Sequence, residues 1–107
     1  MRRDIFQAIA DPVRREIIDK LSDSSLSINQ IAKSFDISRP AVSKHVKILE
    51  ESGVITIEQL GRERICSINP KELVPAFLWV KQYHRLWEER IDSFEDYLNT
   101  ITKNKTK

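Results

Sequence analysis

Residues 27–52, SINQIAKSFDISRPAVSKHVKILEES, hold two short helices with very little chain between them. The first, Ser27–Phe35, begins with a capping box in which Gln30 stands three residues after the capping serine. The second, Ser38–Ser52, has a serine cap and Pro40 in its first turn. Because the connection is only a few residues long, the helices must cross rather than lie antiparallel, and the pattern predicts a helix-turn-helix.

The second helix of this pair has an apolar stripe and a cationic face. In a helix-turn-helix, the second helix enters the major groove of DNA. The residues that the stripe leaves pointing outward are Arg39, Ser43, Lys44 and Lys47, with His45 near the boundary. These side chains suit phosphate and base contacts, so the face is a predicted DNA-binding surface. A solvated basic face without nucleic acid is the alternative for this helix taken alone.

A β-hairpin is predicted after the second helix, over about residues 54–68. Its strands, Val54–Glu58 and Glu63–Ile68, are rich in β-branched residues, and Gly61 lies in the turn between them. Arg62 and Arg64 flank that turn. Arginines on a hairpin beside a recognition helix are typical of a wing that reaches the minor groove or the backbone. The fold class is therefore mainly α with a small β-hairpin wing.

The rest of the chain is predicted to be helical and to form one domain over residues 1–107 with the winged helix-turn-helix. A short N-terminal helix over about residues 3–10 ends before Asp11-Pro12, where a second helix is capped and restarts. A long helix is expected over about residues 73–101.

The long C-terminal helix carries apolar residues in steps of three and four, as in a heptad repeat. A helix of this length exceeds what so small a domain needs to cover its own core, so part of the stripe is predicted to form a homodimer interface. Packing of the stripe only on the first helix of the same chain is the alternative. The predicted interface residues are Phe77, Val80, His84, Trp87, Ile91, Phe94 and Leu98.

Five stretches resemble a known family: Asp11–Ile18 (DPVRREII), Ile31-Ala32, Ser38–Leu49 (SRPAVSKHVKIL), Gly53–Ile55 and Gly61–Arg64 (GRER). In this order and spacing they look like the ArsR/SmtB family of winged-helix repressors, over nearly the whole chain. The resemblance implies a homodimer that binds an imperfect palindrome, such as one in its own promoter, and blocks transcription. It also places Ser43 and His45 at positions that the family uses for base or backbone contact.

Many members of that family sense metals, through cysteine pairs on the helix that here spans Ser27–Phe35 or through Asp and His ligands on the last helix. This sequence has no cysteine on the helix that spans Ser27–Phe35. On the last helix it has His84 and Glu88 at i, i+4, without an Asp-x-His pair. The chain therefore resembles the members without a metal sensor, and the sequence predicts no metal and no cofactor.

Composition excludes several other classes of protein. The 107 residues carry a net charge of +2 and contain one cysteine, Cys66, so no intrachain disulfide can form. No apolar run approaches the roughly 20 residues that span a bilayer, which predicts a cytoplasmic protein without membrane contact. No enzyme is predicted: Ser43 and His45 are two residues apart and point in different directions.

The expected partners are double-stranded DNA and a second copy of the chain, with an effector or protein partner left open. A helical protein-interaction module without specific DNA binding is the rival function.

Overall fold

The computed structural model describes residues 4–89 and 95–101, except the side chains of Trp87 and Glu89. The chain divides into two compact units, Met1–Ala76 and Phe77–Lys107. The elements in chain order are α1 (Ile5–Ala8), α2 (Pro12–Asp23), β1 (Leu26–Ser27), α3 (Ile28–Lys33), α4 (Arg39–Ser52), β2 (Ile55–Leu60), β3 (Glu63–Ile68), a 3₁₀ turn (Pro70–Leu73), α5 (Val74–Lys81) and α6 (His84–Glu89).

The helix ends of the first unit form as the sequence predicted. The Asp11 side chain accepts a hydrogen bond from the backbone N–H of Arg14 at the start of α2. Both halves of the capping box at Ser27 are present. Ser38 caps α4, and Gly53 ends it in the left-handed conformation with φ of 86°. These local signals fix where α3 and α4 begin, and so how the two helices cross.

Three strands make a small antiparallel sheet in the order β1-β3-β2. The hairpin pairs Leu60 with Glu63 across its turn, so β2 extends two residues beyond the predicted strand end. β1 pairs Leu26 with Cys66 and was not predicted from the sequence. A strand of two residues is too short to show any alternation, which explains the omission.

The core of the first unit lies between the helices and the sheet. Fully buried side chains come from α2, α3, α4, the start of β2 and the middle of β3; the largest are Ile17, Ile31, Leu49, Ile55, Val42, Val46, Val54 and Cys66. This burial holds α4 by its apolar stripe, so the opposite side of the helix must face solvent.

Two adjacent arginines of α2 hold the C-terminal end of α1. The Arg14 guanidinium donates to the carbonyls of Gln7 and Ala8, and Arg15 donates to the carbonyl of Ile9. The last carbonyls of a helix lack their usual partners within the helix, so the bonds to Ala8 and Ile9 satisfy groups that water would otherwise have to bind, whereas the Gln7 carbonyl also accepts the Ala10 N–H at 3.3 Å.

The C-terminal segment differs from the prediction of one continuous helix over residues 73–101. α5 ends at Lys81 and α6 begins at His84, with a two-residue turn between them. The Gln82 side chain donates to the carbonyl of Trp79 at 2.9 Å, and the Tyr83 N–H pairs with Val80 at 3.1 Å. In a continuous α-helix the Tyr83 N–H would take the Trp79 carbonyl, so a side-chain amide competes with the backbone and tightens the turn.

The second unit also contains a helical stretch at residues 95–101. Its predicted interface residues Ile91 and Phe94 lie outside the described residues, as does the Trp87 side chain. None of the described helices combines the length and hydropathy needed to cross a membrane.

Candidate nucleic-acid interface

Helix α4 presents two different sides because its apolar stripe is buried. Val42, Val46 and Leu49 are at most 1% exposed. Of the predicted DNA-binding residues on this helix, Arg39, Lys44 and Lys47 are exposed, whereas Ser43 and His45 are half-buried. The polar side of α4 therefore offers cations at both its start and its middle.

The hairpin turn places two more arginines at the surface. Gly61 occupies the turn with φ of 63°, a backbone conformation that residues other than glycine rarely adopt. The Gln59 side chain donates to the Gly61 carbonyl at 3.0 Å and closes the turn. Arg62 and Arg64 follow and are both exposed.

Two concavities between α3, α4 and the hairpin bring five of the seven predicted DNA-binding residues together. The first, of about 320 Å³, is lined by Ser43, Lys47 and Arg64. The second, of about 160 Å³, is lined by Arg39, Arg62 and Arg64. Arg64 borders both, so they form one cationic surface from the start of α4 to the hairpin. Each concavity also holds one carboxylate, Glu50 in the first and Glu63 in the second.

The guanidinium of Arg39 is oriented by a residue that was not predicted from the sequence. Its Nε donates to Oδ1 of Asn29 in the first turn of α3, at 2.7 Å. Asn29 also lines the second concavity. The capping box gave no signal for this role, since Asn29 lies inside the box and its partner is ten residues away.

The remaining two predicted DNA-binding residues lie apart from the concavities. Lys44 is exposed and lines neither of the two. His45 stands about 200° around the helix axis from Ser43. Its Nδ1 is 3.3 Å from an Arg14 nitrogen and 3.8 Å from the Asp11 carboxylate, and its side chain is 22% exposed.

The lone cysteine belongs to the core beneath this surface. Burial raises the pKa of the Cys66 thiol from 9.0 to about 11, while Arg64 lowers it and Glu50 raises it. The group is thus a protonated thiol at neutral pH. Among the described residues, no group of three or more His, Cys, Asp or Glu side chains is placed to hold a metal ion.

The comparisons with known proteins agree with this architecture. The family described as "bacterial regulatory protein, arsR family" matches this chain over residues 11–56. The transcriptional repressor SdpR of Bacillus subtilis is 34% identical over 80 residues, which cover 75% of this chain and 89% of the relative. This chain belongs to the arsR family of bacterial regulatory proteins.

Solved structures show the same fold. The crystal structure of an ArsR family transcriptional regulator superposes with a TM-score of 0.71 at 38% identity, over 78% of this chain and 92% of that one. A winged helix-turn-helix DNA-binding domain from Mycobacterium bovis, described as homodimeric, has a TM-score of 0.60 at 19% identity, over 77% and 78%. The predicted winged helix-turn-helix is confirmed, and the chain is a DNA-binding regulator of transcription.

Proposed function

We propose that this regulator is a homodimeric repressor that binds a palindromic operator in cytoplasmic DNA, with α4 in the major groove and the hairpin against the adjacent backbone or minor groove. The observation that carries the proposal is the continuous surface of Arg39, Ser43, Lys47, Arg62 and Arg64 around the two concavities. Four of these five residues are cations that never or rarely lose their charge, which suits a polyanion.

The residues of this surface divide by what they can contact. Arginine and lysine at the rim, namely Arg39, Lys47, Arg62 and Arg64, are assigned to phosphates or the minor groove. Ser43, Lys44 and His45, which lie around α4 and not on one face of it, are assigned to base edges in the major groove, because a hydroxyl, an ammonium and an imidazole can each hydrogen-bond a base acceptor. Phosphate contacts set position and base contacts set sequence preference, so the two groups should respond differently to substitution.

The repressor and dimer parts of the proposal have separate support. SdpR, which matches this chain over 89% of its own length, is a transcriptional repressor. Within the second unit, Phe77, Val80 and Leu98 from the predicted interface are 40% to 62% exposed, as an unpaired dimer surface would be. His84, the other described member of that set, lies 2.9 Å from Glu88 of its own helix.

A gel-shift titration against the DNA upstream of the protein's own gene tests the proposal. Specific binding that weakens steeply with salt is expected, since each phosphate contact adds about 0.9 to the slope of log affinity against log salt. Lys47→Ala should lower that slope by about one. Lys71→Ala is the matched control, because Lys71 is an exposed cation in the 3₁₀ turn that lines neither concavity.

Sequence preference is tested by replacing Ser43 and His45 together with alanine. The double variant should stay folded and bind all duplexes alike, since each lost base contact costs roughly 1 to 3 kcal/mol of discrimination. A folded double variant with wild-type discrimination would show that α4 does not read the operator. Absence of any salt-dependent binding by the wild-type protein would favour the rival function, a protein-interaction module.

A further inference from the structure

The side chain of Arg14 connects the end of α1 to the helix that is proposed to read DNA. Its Nε donates to the Ala8 carbonyl at 2.7 Å, and one terminal nitrogen donates to the Gln7 carbonyl at 3.1 Å. The other terminal nitrogen lies 3.3 Å from Nδ1 of His45 on α4. Three nitrogens of one planar group therefore meet three fixed acceptors, and the guanidinium is held in place.

The direction of the hydrogen bond to His45 follows from the chemistry of the two groups. A guanidinium only donates, so Nδ1 of the imidazole must accept. A neutral imidazole carries one ring proton, which therefore lies on Nε2. The Asp11 carboxylate, at 3.8 Å from Nδ1, is beyond hydrogen-bond distance and does not reverse this assignment.

None of the described contacts involves Nε2, the outer nitrogen of His45. Within the described residues, no buried side-chain nitrogen or oxygen lacks a hydrogen-bond partner. His45 is half-buried with its inner nitrogen on Arg14, so its outer nitrogen is the one that remains for an acceptor outside the protein.

We propose that Arg14 is a positioning residue for DNA recognition: it fixes the ring and the tautomer of His45, so that α4 offers an N–H donor at Nε2 to an acceptor on DNA. The inference rests on the proposed function. Acceptors of this kind on DNA are guanine N7 and O6, adenine N7, thymine O4 and phosphate oxygens. An imidazole free to exchange tautomers would offer a lone pair at Nε2 part of the time and would repel the same acceptors.

Arg15 provides a matched control for this role. It is the next residue of α2, carries the same charge and also donates to a carbonyl at the end of α1, that of Ile9 at 2.9 Å. The described contacts of Arg15 do not include His45. Loss of either arginine thus removes one positive charge and its hydrogen bonds to the end of α1, two for Arg14 and one for Arg15, but only loss of Arg14 releases the imidazole.

The first experiment measures the tautomer without DNA. Full-length protein with ¹⁵N-labelled histidine is examined by long-range ¹H–¹⁵N correlation at a pH where both imidazoles are neutral, and a His84→Gln variant assigns the signals. We expect a protonated Nε2 and an accepting Nδ1 for His45 in the wild type and in Arg15→Ala. In Arg14→Ala the Nδ1 signal should move and the tautomers should mix. A wild-type proton on Nδ1, or identical His45 signals in all three proteins, would overturn the proposal.

The second experiment measures discrimination between the upstream duplex and a scrambled duplex of the same composition. Arg14→Ala should reduce the ratio of the two affinities about tenfold, the factor that corresponds to about 1.4 kcal/mol, and Arg15→Ala should leave the ratio within about twofold. In the His45→Ala background, Arg14→Ala should cause no further loss, because the two residues act as a unit. Equal losses for the two arginine variants, or additive losses in the double variant, would overturn the proposal.

Variants of His45 keep the test decisive if Arg14→Ala fails to fold. His45→Asn retains an acceptor near the position of Nδ1 and lacks the outer donor, whereas His45→Gln retains a donor near the position of Nε2. Discrimination should survive better in the glutamine variant, and the reverse order would contradict the proposal. A wild-type protein that binds no duplex selectively would refute the proposed function, while the tautomer measurement would still stand.

Discussion

Arg14 and Arg39 carry the same guanidinium but lie in different surroundings. The Arg14 group is half-buried and bonds protein atoms through all three of its nitrogens. The Arg39 group is exposed and, among the described contacts, is held through Nε alone by Asn29. An arginine held by Nε is oriented but keeps its terminal nitrogens for an external phosphate, which binds a guanidinium through two parallel hydrogen bonds.

Asn29→Ala is therefore expected to weaken DNA binding without changing sequence preference. Arg39 must then be ordered when DNA binds, which costs about 0.5 to 1.5 kcal/mol for a flexible side chain, or roughly a twofold to tenfold loss of affinity. Titration of specific and scrambled duplexes at one salt concentration measures this loss. The control is Ser34→Ala, which removes an exposed polar group of the same region that bonds only the Gln30 carbonyl among the described contacts. A similar loss in both variants would rule out a role for Asn29 in orienting Arg39.

The buried thiol of Cys66 gives a pH dependence of stability. Its pKa of about 11 in the folded protein exceeds the ordinary 9.0, so the folded state binds more protons between these values. The free energy of unfolding should therefore fall as pH rises from 9 to 11, by an amount of order 2 kcal/mol. Urea midpoints of the wild type and of Cys66→Ala at both pH values measure the difference. Parallel losses in the two proteins would show that the thiol does not contribute.

The exposed cations could be found from the sequence, whereas Asn29, which orients Arg39, and Arg14, which contacts His45, could not. Charge and helix phase are local properties, so Arg39, Lys47 and the hairpin arginines could be identified from their own positions. Asn29 and Arg14 act on partners ten and 31 residues away, and only the crossing of the helices brings those partners together. His45 was placed at the boundary of α4, but its contact to α2 could not be inferred from α4 alone.

At the scale of secondary structure, sequence signals for helix caps, which act within a few residues, predicted the helix ends correctly. The break in the C-terminal helix, where a side chain competes with the backbone for a hydrogen bond, was not predicted. The capping box at Ser27, the Ser38 cap and Gly53 predicted where α3 and α4 begin or end, because each cap satisfies backbone groups of its own helix. The apolar spacing after Leu73 predicted a long helix and gave no warning of the turn at 82–83. That turn depends on a glutamine side chain taking a backbone carbonyl, which a hydrophobic pattern does not encode.

Gln82→Ala should therefore extend α5 toward α6. Without the side-chain amide, the Trp79 carbonyl is available to the Tyr83 N–H, and alanine favours the helix more than any other residue. Far-ultraviolet circular dichroism should show more helix, and the Tyr83 amide should exchange more slowly. Lys81→Ala serves as the control, since the Lys81 side chain lies over the Phe77 ring and not on a backbone carbonyl among the described contacts. Equal gains in both variants would mean that alanine propensity alone extends the helix.

At the scale of the whole molecule, charge and apolar surface are segregated along the chain. The net charge is only +2, yet the concavities of the first unit gather most of the cations assigned to DNA. The second unit exposes large apolar side chains close together in sequence, at least 40% exposed each: Phe77, Leu78, Trp79, Val80, Tyr83 and Leu86. Exposure of so many large apolar side chains in one short segment indicates an interaction with another protein surface.

We predict that this apolar surface pairs with its copy in a second chain and that Phe77→Ser weakens the dimer. Phe77 is 62% exposed and lines a concavity of about 270 Å³ with Val80 and His84. Full burial of such a side chain is worth about 1.5 to 3 kcal/mol, so its loss from both chains should raise the dissociation constant at least tenfold.

Sedimentation equilibrium of the wild type, of Phe77→Ser and of Leu60→Ser measures the association. Leu60 is an equally apolar residue, 53% exposed, at the hairpin turn of the first unit, and its loss should leave the dimer unchanged. A wild-type monomer at micromolar concentration, or equal effects of the two substitutions, would contradict the prediction.

A dimer places two recognition helices about 34 to 36 Å apart, or a multiple of this, on successive half-sites, so the variant at Phe77 should also lose operator affinity as the protein is diluted. The operator affinity of the Leu60→Ser variant should not depend on dilution in this way, because the dimer keeps both α4 helices on one duplex.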